Sequence, residues 1–384
     1  MTVILQPGTL AGEIAAMPSK SDLHRLMTAA WLAGMDIDAL PEISEDIAAT
    51  KECLQNSSVC DCRESGSTLR FLLPVMAALG REVTFIGAGR LPERPMQPLV
   101  GLLRGHGCTI DSERLPITLR GRLRPGTFAL PGDVSSQYVT GLLLALPILD
   151  GDSEITLTSP LESRGYVDMT LRTLRKFGVK VIERANGWKI PAPQRYLSTV
   201  NCQLSTEGDW SNAAFWLAAN ALGSRVHVTG LDETSAQPDR AIAGLLRQLP
   251  EEIDVSQCPD LAPILSVVLA LTPGERGISN ASRLRLKESD RLHAMAVNLI
   301  ALGADVSELP EGLMIRGKRS LRGGEVDSFG DHRIAMAMAI AALRCDGEVV
   351  LHGAQAVRKS YPAFWEDYNK MRNENAECRN GVRA

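Results

Sequence analysis

Six short stretches of this chain concentrate the side chains that could do chemistry. They are "PSKSDLHR" (18–25), "ESGSTLR" (64–70), "SSQY" (135–138), "PD" (259–260), "KESDR" (287–291) and "DHR" (331–333). Two further stretches, "GRLPERP" (89–95) and "RKSYP" (358–362), add Arg94 and Lys359. The densest is "LKESDR" (286–291), with four ionisable groups in six positions. Leu292, Met295, Leu299 and Leu302 follow it at helical spacing, so a helix beginning by Glu288 would carry Glu288 and Arg291 on the same inward stripe. A solvated charged turn would normally sit opposite that stripe.

The rest of the composition narrows what these groups can act on. The chain has 384 residues, 45% hydrophobic and 22% charged, which suits a soluble protein of about two domains. Its net charge is -4, so no global field favours nucleic acid or an anionic membrane. An anionic substrate must therefore be met by local clusters of Lys and Arg. Aromatic residues, at 4%, are too few for a base-stacking platform. The eight cysteines form no CxxC pair and read as buried or incidental thiols in a reducing compartment. No secretory leader or membrane-length apolar run is evident, and a cytoplasmic location is expected.

The elements that must position these stretches recur. Six segments, starting near 18, 64, 132, 207, 258 and 329, each open with polar or small residues and then turn apolar on nearly every side. Such helices must be buried all round, with first N–H groups that need caps or an anion. Between them, segments 102–121, 171–190 and 297–317 each read as an amphipathic helix, a Gly and two β runs. Helices at 51–55 and 242–249 occupy the same place without the hairpin. The starts are spaced 46, 68, 75, 51 and 71 residues apart, and the two short intervals are those lacking hairpins. Adding residues 1–17 to the segment after 329 gives it the length of a full unit, so the N-terminal strand is expected to complete the last repeat. The expected fold is α/β with mixed sheets, in two similar lobes. One spans 18–206; the other spans 1–17 and 207–384.

Taken in order, these motifs resemble the 5-enolpyruvylshikimate-3-phosphate synthases, members of the enolpyruvyl transferase family, across nearly the whole chain. The resemblance implies two lobes of three βαβαββ units, with buried helix starts facing a cleft. It implies transfer of the enolpyruvyl group of phosphoenolpyruvate to the 5-hydroxyl of shikimate 3-phosphate through a tetrahedral intermediate, without cofactor or metal, and inhibition by glyphosate at the phosphoenolpyruvate site. By the same resemblance Ser21 and Arg25 hold the shikimate carboxylate, and Ser135, Ser136 and Ser163 its phosphate. Gln137 and Tyr166 lie against the ring, Asp260 accepts from the hydroxyls, and Lys287 reaches the same ligand. Lys20, Gly66, Arg94, Gln137, Arg291, Arg333 and Lys359 surround phosphoenolpyruvate, with Lys20 also at shikimate 3-phosphate. Asp260 is the expected base and Glu288 the expected acid, with Lys20 and His332 as rivals or assistants. Arg70 is expected to support the site, Asp46 to be architectural, and His24 and His293 to be structural or surface groups. The chain is expected to act on small molecules as a monomer, without nucleic acid or membrane.

A sibling family transfers the same group to a UDP-aminosugar, but its Cys-bearing "GGCxIG" loop is absent here. Within the resemblance, Glu64, Ser67 and Arg164 stand where relatives often have Asn, Thr and Lys. These departures bear on inhibitor sensitivity more than on reaction class.

Overall fold

Four of the apolar helices, and the amphipathic helix that follows Asp290, begin behind a side chain that accepts a hydrogen bond from their first turn. The caps are Ser65, Ser135, Asp209, Asp290 and Asp331. This is the use expected of Ser and Asp at buried helix starts, where the first N–H groups have no intrahelical partner. The computed structural model describes residues 1–56, 58–198 and 205–380. The chain divides into two units, Lys20–Thr206 and Met1–Ser19 with Glu207–Ala384. Residues 199–204, just ahead of the lobe boundary expected at 206, lie outside the described residues.

The unit 20–206 holds helices α1 (Lys20–Leu32), α2 (Glu45–Gln55), α3 (Gly66–Leu79), α4 (Gln97–Gly105), α5 (Ser136–Ala145) and α6 (Arg164–Lys176). Two four-stranded sheets share one order. In the first, Val59–Asp61 runs parallel to Val83–Ile86, which pairs antiparallel with Ile117–Gly121, and that with Cys108–Ile110. In the second, Thr127–Leu130 runs parallel to Ser153–Leu157, followed by Gly187–Ile190 and Ile182–Arg184. Each sheet, with its two helices, is a βαβαββ unit. The third pair, α1 and α2, brings no hairpin: α2 ends at Gln55 and the next strand begins at Val59. α3 and α5 are apolar on nearly all sides and buried. Gly141 allows their close crossing, since a Cβ there would stand 2.1 Å from the Arg70 carbonyl oxygen.

The other unit repeats the plan with α7 (Trp210–Ala221), α8 (Ile242–Gln248), α9 (Ala262–Ala270), α10 (Arg291–Ala301), α11 (His332–Ala342) and α12 (Phe364–Asn380). Glu252–Asp254 and Gly274–Ser279 run parallel, followed antiparallel by Gly312–Gly317 and Asp305–Leu309. Gly324–Asp327 runs parallel to Val349–His352, and Thr2–Leu5 completes that sheet antiparallel to Val349–His352. The N-terminal strand thus closes the last repeat, as its length required. The remaining sheet has two strands, Ala11–Ala15 parallel to Arg225–Thr229, and α8 passes without a hairpin to Glu252. On Arg225–Thr229, the Asn220 side chain covers one residue: its Nδ2 donates to the Val226 carbonyl at 2.7 Å and its Oδ1 accepts from the Val226 N–H at 2.7 Å. Each unit has its own hydrophobic core. Among the described residues no helix is long and apolar enough to cross a membrane.

Candidate active site

In the unit 20–206 the expected residues stand at the starts of α1, α3, α5 and α6. Lys20 opens α1 and its Nζ donates to Asp46 Oδ2 at 2.7 Å, with both side chains largely buried. Arg25, one turn later, is buried over the Phe71 ring, 5.1 Å from its centroid. It donates to Thr170 Oγ1 and the Tyr166 carbonyl, both at 2.9 Å, and to the Ser21 carbonyl. Burial lowers its proton affinity to about 10, against the opposing effect of Asp22, so the guanidinium stays charged at neutral pH. At α5, the Ser135 hydroxyl caps the Gln137 N–H, beside buried Ser136. Ser163 precedes α6 with φ 56, a left-handed conformation that costs a residue with a side chain roughly 1–2 kcal/mol. Such strain is concentrated at functional sites.

Arginines surround the start of α3. A Cβ on Gly66 would stand 2.7 Å from Arg70 Nη1 and 2.8 Å from Arg94 Nη1. Arg70 donates to Gln137 Oε1 at 2.8 Å and to the Pro95 carbonyl at 3.2 Å, and Gln137 Nε2 donates to Ser67 Oγ at 3.0 Å. Two buried guanidiniums beside a capped helix start form a ready anion site. Arg70 thus holds the Gln137 side chain in place. Arg164 is engaged elsewhere, with Asp168 and Glu183 each at 2.7 Å.

In the other unit, "KESDR", "PD", "DHR" and Lys359 converge on Arg291, whose side chain is only 2% exposed. Its Nε donates to Asp331 Oδ2 at 2.7 Å, Nη1 to Asp260 Oδ1 at 2.8 Å and Nη2 to Glu288 Oε2 at 2.9 Å. Arg333 Nη2 donates to Asp260 Oδ2 at 3.0 Å, Lys287 Nζ lies 3.8 Å from Asp260, and Lys359 Nζ lies 3.9 Å from Glu288. Burial acts to raise the proton affinity of Asp260, but Arg333, then Lys287 and Arg291, outweigh it and hold the carboxyl far below its usual range. Burial likewise opposes charge on Arg291, but Asp331, Glu288 and Asp260 reverse the effect and raise its proton affinity. His332, the first residue of α11, is buried with Nδ1 3.8 Å from Asp331 Oδ1. The charge in "LKESDR" is therefore held in an expensive place and compensated there.

Some expectations change in detail. α10 begins at Arg291, not by Glu288, because the Asp290 carboxylate caps the His293 N–H at 3.1 Å and ends the helix there. Glu288 reaches Arg291 from the segment ahead of the helix. Asp46, expected to be architectural, ties α2 to α1 through Lys20, which that expectation did not name. His293 is exposed and pairs with Glu308, while His24 is buried against Thr50. Sequence reasoning passed over Asp331 and Ser289, which together secure the Nε edge of Arg291: Ser289 Oγ donates to Asp331 Oδ2 at 3.1 Å. Asp331 stood in a noted motif, and its position immediately before an apolar helix was the available signal.

A family model described as EPSP synthase (3-phosphoshikimate 1-carboxyvinyltransferase) matches residues 12–250 and 243–368. The 3-phosphoshikimate 1-carboxyvinyltransferase of Clostridium kluyveri is 40% identical, covering 97% of each chain. That of Clostridium acetobutylicum is 41% identical, covering 96% of this chain and 97% of its own. Among solved structures, EPSP synthase from Acinetobacter baumannii has a similar fold, with TM-score 0.77 at 24% identity over 96% of this chain and 98% of its own.

Proposed function

The chain belongs to the EPSP synthase family, and on that premise we propose how its own residues serve the family's reaction. The enolpyruvyl group of phosphoenolpyruvate passes to the 5-hydroxyl of shikimate 3-phosphate and phosphate is released. The reaction lies on the route to chorismate and the aromatic amino acids. The observation that carries the assignment of roles is the buried cluster in which Arg291 holds Asp260 and Glu288 together, with Arg333, Lys287 and Lys359 beside them.

The hydroxyl of shikimate 3-phosphate loses its proton to Asp260 and its oxygen adds to C2 of phosphoenolpyruvate. Glu288 supplies a proton to C3, so the methylene becomes a methyl group. In the second step a base removes one methyl proton, the C2–O bond to phosphate breaks and the enol ether forms. Asp260 in the arrangement described is a weak base, because three cations stabilise its charge. Substrate phosphate and carboxylate groups compete for Arg333, Lys287 and Arg291, and each cation drawn away returns basicity to Asp260. Ligand binding thus arms the carboxylate. Lys20, held by Asp46, and His332 are the assisting proton carriers.

Ser21, Arg25, Ser135, Ser136, Ser163, Gln137 and Tyr166 take shikimate 3-phosphate. Their support is the anchored Arg25 and the hydroxyl-lined starts of α5 and α6. Gly66, Arg94, Gln137, Arg291, Arg333 and Lys359 take phosphoenolpyruvate, supported by the guanidiniums beside Gly66. The enzyme works as a monomer in the cytoplasm. Phosphate release measured with phosphoenolpyruvate and either shikimate 3-phosphate or a UDP-aminosugar tests the reading. Release is expected only with shikimate 3-phosphate; release with the aminosugar instead overturns it.

A further inference from the structure

Behind the start of α3 runs a chain of buried hydroxyls. Thr68 Oγ1 donates to Ser65 Oγ at 2.7 Å, Thr50 Oγ1 lies 2.6 Å from Thr68 Oγ1, and His24 Nδ1 lies 2.8 Å from Thr50 Oγ1. His24, Thr50, Ser65 and Thr68 are each at most 1% exposed. The direction of the chain follows from counting protons. Thr68 has one hydroxyl hydrogen, and of its two acceptors Ser65 Oγ at 2.7 Å is much nearer than the Asp46 carbonyl at 3.4 Å. Thr50 then donates to Thr68 at 2.6 Å rather than to the Asp46 carbonyl at 3.3 Å, which leaves the ring to supply the hydrogen between Thr50 and His24. This direction gives His24 the tautomer protonated at Nδ1, with Nε2 buried and without a hydrogen-bond partner. The chain spans three helices, from α1 through α2 to the cap of α3. It ends on Ser65, which also accepts the Thr68 N–H at 3.2 Å. The next residue is Gly66, beside which Arg70 and Arg94 stand.

We propose that Thr68, backed by Thr50 and His24, is a positioning residue for phosphoenolpyruvate. The oriented hydroxyl chain fixes Ser65 and hence the place of the Gly66 backbone among the arginines. The inference rests on the phosphoenolpyruvate assignment made above. None of the three side chains is assigned contact with substrate; they act through Ser65. A threonine at the third position of an apolar helix reads in the sequence as ordinary filler. Its hydroxyl is accounted for only by the partners that α1 and α2 bring to it.

The test is steady-state kinetics on Thr68→Val, Thr50→Val and Thr68→Ser beside the parent, with thermal melts of each. Thr68→Val keeps the shape and removes the donor to Ser65. It is expected to raise KM for phosphoenolpyruvate about three- to tenfold, the worth of one buried hydrogen bond. The expected change in kcat is under about twofold, KM for shikimate 3-phosphate is unchanged, and Thr68→Ser recovers the parental constant. Nitrogen-15 NMR of the His24 ring supplies a second readout that survives a poorly folding Thr68→Val. The parent should show a ring protonated at Nδ1, and Thr50→Val should shift the tautomer balance. A lower melting temperature with KM for phosphoenolpyruvate unchanged makes the chain purely structural and overturns the proposal. A parental ring protonated at Nε2 overturns the hydrogen-bond direction. A parent that turns over without phosphoenolpyruvate instead overturns the functional assignment on which the proposal stands.

Discussion

Replacing Gly66 with Ala tests the anion site at its narrowest point. The new methyl carbon would lie 2.7 Å from Arg70 Nη1, 2.8 Å from Arg94 Nη1 and 2.9 Å from Arg94 Cζ. Ordinary nonbonded separations are about 3.5 Å, so both guanidiniums must retreat by about 0.7 Å. They are flexible at their ends but buried, and Arg70 is also tied to Gln137 at 2.8 Å and to the Pro95 carbonyl at 3.2 Å. The retreat therefore spoils placement rather than folding, since Gly66 does not hold the left-handed conformation that would itself oppose Ala. A hydrogen bond to a charged group contributes about 1.5–3 kcal/mol, so losing one raises KM for phosphoenolpyruvate by about 10- to 100-fold. Glyphosate, placed in the same pocket by the family resemblance, should weaken in parallel, with KM for shikimate 3-phosphate little changed. The assay is phosphate release with each substrate varied in one buffer, with and without glyphosate, on parent and variant. An unchanged KM for phosphoenolpyruvate in a folded variant refutes the reasoning. Where the parent itself resists glyphosate, as Glu64 and Ser67 allow, that constant alone decides.

Asp260→Asn and Glu288→Gln keep shape and remove proton transfer, so each should lower kcat by about 10²–10⁴-fold under conditions where chemistry limits the rate. Parental turnover in either variant removes that residue from the mechanism. Burial lowers the proton affinity of His24 from 6.5 to about 3, with Asp46 opposing and Lys20 and Arg25 adding to the effect. Its folded value is depressed, so its contribution is present above pH 6.5 and is lost as pH falls toward 3. The contribution changes by at most about 1.4 kcal/mol per pH unit. His24→Gln should flatten denaturant-measured stability over that window relative to the parent, and parallel curves would contradict the burial of a neutral ring. Asn220→Ala removes both bonds to Val226 and should cost about 1–3 kcal/mol. It should also produce concentration-dependent association in light scattering, through the uncovered strand; an unchanged melt and a monodisperse variant would speak against Asn220 as a cover.

Local rules made much of this molecule legible. Helix starts were readable because Ser65, Ser135, Asp209 and Asp331 are caps, and capping acts over three residues of chain. The missing hairpins were readable because omission changes spacing, and the N-terminal strand because the last repeat was otherwise short. What escaped depends on contacts distant in sequence. The start of α10 turned on a competition between the apolar stripe and the Asp290 cap, which the periodicity alone does not decide. Asp331 meets Arg291 across 40 positions and Thr50 meets Thr68 across 18, so neither pairing has a local signature. The partner of Asp46 was not legible because Lys20 lies on another helix.

The charge balance around Arg291 explains why so many ionised groups can be buried together. Arg291, Arg333, Lys287 and Lys359 face Asp260, Glu288 and Asp331, one more cation than carboxylate. An unpaired buried charge costs several kcal/mol, which makes an empty, strongly cationic pocket an unstable way to await anionic substrates. Here the carboxylates occupy the cations in advance. Asp331 differs from the other two: it is fully buried, caps α11 through the Arg333 N–H at 2.9 Å and holds the Nε edge of Arg291, so it fixes that side chain in place. Asp260 and Glu288 are the more exposed partners, on the Nη edge. An incoming anion that displaces them weakens the cationic hold on both carboxylates at once. On the proposed assignment, the same exchange that binds substrate would raise the proton affinity of Asp260. On that assignment a single arginine would couple occupancy of the site to its chemistry, with Asp331 preventing the guanidinium from following the substrate away.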